Sequence, residues 1–186
     1  MKSNFDFLNR YWPALAQIGA TAETYVYSDP NACIYKTGMF SERMVQEIML
    51  FEKIAEPATD NTHANRIRIL KRAGLLPREI DNTLYVLRKT RNSAVHAGTD
   101  SVDEAKTLLS MSYNLAAWFM ETYGDWSFSA PEFVMPVESH HEELKQLLQN
   151  RKIGLPLLSV SWPRLQLRLL EQPRKSALSV PRQFLP

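Results

Sequence analysis

Residues 78–98 read REIDNTLYVLRKTRNSAVHAG, and they settle what kind of fold to expect. Ile80, Leu84, Leu87 and then Ala94 or Val95 recur at three- and four-residue steps, the period of a helix with one buried face. Pro77 stands immediately before the run and Gly98 immediately after it, where glycine supplies a left-handed stop. The stretch predicts a helix from about Arg78 to Ala97.

The same period extends outward in both directions. Leu8, Tyr11, Trp12, Leu15, Ile18, Ala22 and Tyr25 predict a helix within Phe7 to Tyr27, with Pro13 in its first turn. Asp29-Pro30 reads as an N-cap followed by proline at the first helical position, opening a helix through Ile34, Met44, Ile48 and Phe51 that Gly38 weakens locally. After a polar loop from Glu56 to Thr62, a basic helix runs through Ile67, Leu70 and Leu75 and stops before Pro77. Ser101-Val102-Asp103-Glu104 has the capping-box pattern and opens an apolar helix to about Tyr123. No stretch alternates as a strand would. The expected fold is all-α, an antiparallel helical bundle of about five main helices.

Beyond Gly124 the prolines of DWSFSAPEFVMPVE keep the chain extended, and Trp126, Phe128 and Phe133 are expected to pack back over the bundle. A short polar helix over 138–152 follows. The tail from 153 to 186 is basic and rich in leucine and proline, and its irregular sequence predicts no fold. Two divisions result: a helical domain over 3–152 and a tail over 153–186.

With 186 residues the chain can hold one sizeable core. It has no apolar run of transmembrane length and no secretory leader pattern, so a cytoplasmic protein without membrane contact is expected. Cys33 is the single cysteine, which excludes an intrachain disulfide and a thiolate zinc site. The net charge of +2 hides segregation. Residues 66–91 carry eight Lys and Arg against two acidic residues, and residues 155–186 carry five against one. The first block makes Arg66, Arg68, Lys71, Arg72, Arg78 and Lys89 candidates for contacting a nucleic-acid backbone, RNA or DNA; the plainer reading is a solvated helical face.

That block leads into Arg91-Asn92-Ser93-Ala94-Val95-His96. Arginine is a fixed-charge bidentate partner for phosphate, and histidine titrates near neutral pH. Arg88, Asn92 and His96, spaced by four, form one ridge on the helix, with Arg91 on its flank. His96 falls in the last turn, where the helix dipole favours imidazolium. Arg91, Asn92 and His96, with Arg88 as an auxiliary, are therefore the candidate catalytic residues, and no metal or cofactor is expected. Structurally, a histidine before a terminal glycine can also merely cap carbonyls.

RNSAVH resembles the R-N-x-x-x-H signature of HEPN domains, small helical domains that include metal-independent ribonucleases. NFDFL (residues 4–8), DPNACIYKTGMFSE (29–42) and FVMP (133–136) extend the resemblance to the HEPN-like N-terminal domain of type I restriction enzyme R subunits. It covers about residues 3–152. In those relatives the RN is often GN with arginine one turn upstream, a place Arg88 fills here. The resemblance implies either a helical module of a type I restriction or related prokaryotic defence system, mediating assembly with other restriction-modification subunits or nucleic-acid contact, or a metal-independent endoribonuclease. In the second case His96 would assist attack of a ribose 2′-hydroxyl, Arg91 would stabilise the phosphoryl charge, Asn92 would orient, and a homodimer would bring two Arg91–His96 patches together. R subunits continue into an endonuclease and a helicase motor, which residues 153–186 do not resemble; a stand-alone relative or a truncated or frameshifted reading frame is expected.

The chain has no G-x-x-x-x-G-K-[ST] phosphate loop. Glu143-Leu144-Lys145 spells E-x-K without an upstream aspartate-bearing strand, and His140-His141 reads as a solvated face. His63 reads as a loop or first-turn residue, and Cys33 as a small buried apolar side chain.

Overall fold

The computed structural model describes residues 3–97 and 101–138, with 95–97 as backbone only. Five helices form: α1 (Pro13–Tyr25), α2 (Pro30–Phe51), α3 (His63–Arg72), α4 (Arg78–Ala97) and α5 (Val102–Phe119). No strand occurs among the described residues, and the described residues belong to a compact unit that ends at Glu138. Gly98, the expected 138–152 helix, the tail and the boundary between the two divisions lie outside them.

The caps follow from local chemistry. Asp29 Oδ1 accepts the Ala32 N–H at 2.9 Å with Pro30 at the first helical position, and Ser101 Oγ accepts the Glu104 N–H at 3.2 Å. Thr62 caps α3 by accepting from Asn65 N. The α3 stop lies earlier than Pro77. Gly74 takes φ +73°, the Leu75 N–H reaches the Leu70 carbonyl and the Gly74 N–H that of Lys71, a Schellman closure. Leu75 is thus the apolar residue after the cap, not part of the helical stripe. α1 starts at Pro13, in its first turn as expected, because a residue before proline is driven from the helical region; Trp12 has φ −136°, ψ 68°, and a 3₁₀ turn, Asp6–Arg10, precedes it.

α2 packs against all four other helices. Cys33, Ile34, Phe40, Met44, Val45, Ile48 and Met49 are buried along it, and the hydroxyls of Thr37 and Ser41 are satisfied by the carbonyls of Ile34 and Gly38, each at 2.8 Å. Phe51, expected on this face, is 60% exposed, its ring edge-on to Tyr123 at 5.1 Å. α5 continues into a π-helical turn, Met120–Gly124, where Gly124 leaves space for Met120 and the Trp12 ring.

An aromatic cluster joins the chain's beginning to the segment after α5. The fully buried Phe5 meets Phe40 edge-on at 5.3 Å and Tyr113 at 6.1 Å. Phe7 meets Phe128 at 4.9 Å, and Tyr113 meets Phe133 at 5.1 Å, so Phe128 and Phe133 do fold back over the bundle. Trp126 does not; it is 92% exposed. Asn4 clamps the two segments: its Nδ2 donates to the Val134 carbonyl at 2.8 Å and its Oδ1 accepts the Val134 N–H at 2.9 Å. Only glycine fits at position 19, where a Cβ would enter the Phe5 ring.

Phe5→Ala should therefore lower stability by about 3–5 kcal/mol, the range for emptying a buried aromatic site. Urea unfolding followed by circular dichroism measures it, and a loss under about 1 kcal/mol would mean that the first segment is not part of the core.

Candidate functional site

Arg91 reaches inward from α4. Its Cβ and Cγ lie against Gly38 of α2 so closely that a Cβ at position 38 would overlap them, its guanidinium stands 5.5 Å from the Tyr35 ring centre, and its Nη2 donates to Glu42 Oε2 at 2.9 Å. Nη1 donates to Asn92 Oδ1 at 3.3 Å. One turn further, the Asn31 amide of α2 donates to the Ala94 carbonyl at 3.2 Å. Positions 31, 35, 38 and 42 are one face of α2, and they all engage Arg91 or Ala94 of α4.

α3 closes the cluster. Arg66, 8% exposed, gives its Nε to both carboxylate oxygens of Glu56, at 3.0 and 2.9 Å, and its Nη1 lies 3.6 Å from Glu42 Oε1. Glu42 therefore stands between two arginines. His63, the first residue of α3, is buried at 9% exposure with Nε2 3.2 Å from Ser41 Oγ. Because the Ser41 hydroxyl proton goes to the Gly38 carbonyl, Ser41 must accept here, which assigns the proton to His63 Nε2 and leaves Nδ1 as a bare acceptor. Among the described residues Nδ1 has no partner, and neither does the Nε of Arg91. Burial first, then the charges of Arg88, Arg91 and Arg66, push the His63 pKa down to about 4. It is a neutral imidazole at neutral pH.

The expected site residues divide accordingly. Arg91 and Asn92 touch each other, Arg91 half-buried and Asn92 exposed. His96 holds helical register four residues beyond Asn92, and its side chain lies outside the described residues, as does its expected exposure to solvent. Arg88 is half-buried, 5.6 Å from the exposed Tyr85 ring. Arg68, Lys71, Arg72, Arg78 and Lys89 are exposed. Arg66 is not: it is buried, and its guanidinium is engaged by Glu56 and faces Glu42. Sequence reading missed His63 and Ser41 as partners, and the only signal was a histidine directly after the Thr62 cap.

Cys33 is fully buried, and burial pushes its thiol up to about 12, so it is inert at neutral pH. Among the described residues no three His, Cys, Asp or Glu side chains gather as metal ligands, and no helix is long and apolar enough to cross a membrane. His140, His141 and the E-x-K stretch lie outside the described residues.

Over 152 residues the chain is 30% identical to the type I restriction enzyme EcoKI endonuclease subunit of Escherichia coli (strain K12). The matched part takes in 80% of this chain and 13% of that subunit, so the chain corresponds to a small part of its relative. No protein-family model and no solved structure matches it. The chain is thus distantly similar to one region of a type I restriction endonuclease subunit.

Two outcomes follow from the geometry. Because folded His63 releases its proton well below the ordinary value of 6.5, the unfolded chain binds more protons between pH 6.5 and 4, and stability falls as pH drops through that window. From pH 7.5 to 5 the loss due to His63 is about 2 kcal/mol; His63→Gln should remove it, as seen by urea unfolding at the two pH values. Gly38→Val should expel the Arg91 stem and cost about 1–3 kcal/mol, as overpacking does. Gly38→Val combined with Arg91→Ala should recover part of that loss, whereas additive losses would show that the two side chains do not meet.

Proposed function

We propose that this chain is a HEPN-like helical module of a type I restriction R subunit or a related prokaryotic defence system, and that it mediates assembly or nucleic-acid contact rather than RNA cleavage. The observation that carries this reading is the 30% identity over 152 residues to the EcoKI endonuclease subunit. It agrees with the state of Arg91. A group that stabilises charge on a phosphoryl oxygen acts through a charge aimed at the substrate, whereas the Arg91 guanidinium is already paired with Glu42 at 2.9 Å. Releasing it would leave Glu42 with Arg66 as its one cationic partner among the described residues, at 3.6 Å.

A tagged form of the chain, co-expressed with the modification and specificity subunits of a type I system from the same genome, should co-migrate with them on size exclusion. In excess EDTA it should leave single-stranded RNA intact, and His96→Ala should change nothing. Metal-independent cleavage giving 2′,3′-cyclic phosphate ends, slowed ~10²–10⁴-fold by His96→Ala, would replace this reading with the endoribonuclease. Analytical ultracentrifugation should then show the homodimer that pairs two Arg91–His96 patches.

A further inference from the structure

Three of the cations that Glu42 and Glu56 do not hold, Arg68, Lys71 and Arg88, border a groove between α3 and α4. Ala64, Ile67, Arg68 and Lys71 form its α3 wall, and Asp81, Tyr85 and Arg88 its α4 wall, around about 250 Å³. On α4 these residues are spaced by four and three, a single stripe, and the next position on it is Asn92. Tyr85 is 51% exposed. Arg88 and Lys89 both stand within cation–π distance of its ring, at 5.6 and 5.9 Å from the centre. Lys71 is paired to Asp81 at 2.5 Å, so the one carboxylate in the groove is neutralised and does not repel an anion. Arg68 faces Asn65 and, at 3.7 Å, Asp60, and Lys89 makes no ion pair among the described residues.

A large half-exposed aromatic ring flanked by cations is a poor solvated surface but a good platform for a base whose phosphates run alongside. Duplex DNA or RNA hides its base faces and offers only phosphates to such a surface. A single strand offers both. We propose that the α3–α4 groove binds single-stranded nucleic acid, a base stacking on Tyr85 and phosphates meeting Arg68, Arg88 and Lys89. This deepens the nucleic-acid limb of the function proposed above and rests on it. The stripe through Asn92 would guide the strand along α4 toward the end that carries His96.

Fluorescence anisotropy with labelled single-stranded oligo-dT, oligo-rU and a mixed-sequence duplex of equal length tests the groove. Both single strands should bind more tightly than the duplex, and the ratio of dT to rU identifies which nucleic acid is favoured. Tyr85→Ala should weaken single-strand binding roughly 5- to 150-fold while Tyr85→Phe, which keeps the ring, stays near wild type. Arg68→Gln with Lys89→Gln should reduce the slope of log affinity against log salt by about 1.4, and it spares the Lys71–Asp81 pair. Both positions are exposed, so circular dichroism should stay native. Duplex bound as tightly as single strand, or Tyr85→Ala within twofold of wild type, would overturn the groove while leaving nucleic-acid contact standing. Binding of none of the three probes would overturn the groove and the nucleic-acid limb together, and co-migration with the restriction subunits would then carry the assembly limb alone.

Discussion

A guanidinium set into the seam between two helices needs room for its stem and an anion for its head, and Arg91 finds both on α2. Gly38 removes the side chain that would block the stem, and Glu42, one turn later, supplies the anion at 2.9 Å. The approach of α4 to α2 is fixed by this arrangement, because the same face of α2 reaches the Ala94 carbonyl through Asn31. α3 depends on it in turn. Glu42 also lies beside Arg66, and the hydroxyl of Ser41 anchors His63 at the start of α3. A partly buried ion pair adds little net stability, but removing one partner leaves a charge stranded, so the network is better understood as fixing the register of three helices than as holding them together. The apolar side chains of α2 do the latter.

The network also sorts the basic block of residues 66–91 into two groups with different work. Arg66 and Arg91 are spent on carboxylates of the same chain. Arg68, Arg88 and Lys89 remain outside that network around Tyr85, with Lys71 held by Asp81, and Arg72 and Arg78 are exposed as well. Counting charge along the chain treats them all alike; burial and partners distinguish them, and the electrostatic field available to a partner comes from the second group alone.

Two of the stretches that resemble the R-subunit domain meet each other in a separate contact. Asn4 of NFDFL satisfies both backbone groups of Val134 in FVMP, and the rings of Phe5, Phe7 and Phe133 pack around Tyr113, whose hydroxyl donates to the Pro131 carbonyl, with Phe128 against Phe7. DPNACIYKTGMFSE and RNSAVH meet in the same way through Arg91. Stretches far apart in the chain are thus two halves of two contacts, which explains why short motifs with no chemistry of their own accompany the histidine motif.

The sequence by itself determined the helices. Caps and periodicity are local, so Asp29-Pro30, Ser101 to Glu104 and the stripe Ile80, Leu84, Leu87 were legible from residue types and spacing, and five helices follow from them. It also exposed the Arg91 to His96 string and the basic approach to it. Where two local signals competed, as at Gly74 against Pro77, the chain took the stop that first closed the backbone hydrogen bonds of the last turn. The tertiary structure alone decided which charges are internal. Arg66 and Arg68 are two residues apart on the same basic helix, so their side chains point to different sides, one onto Glu56 and Glu42 and the other to solvent. Nor could spacing show that Gly38, a weak point for an isolated helix, is the notch that admits Arg91, or that His63 is neutral beside Ser41. Each of those properties depends on what stands across the seam, and a side chain's neighbours across a helix interface come from segments tens of residues away in the chain.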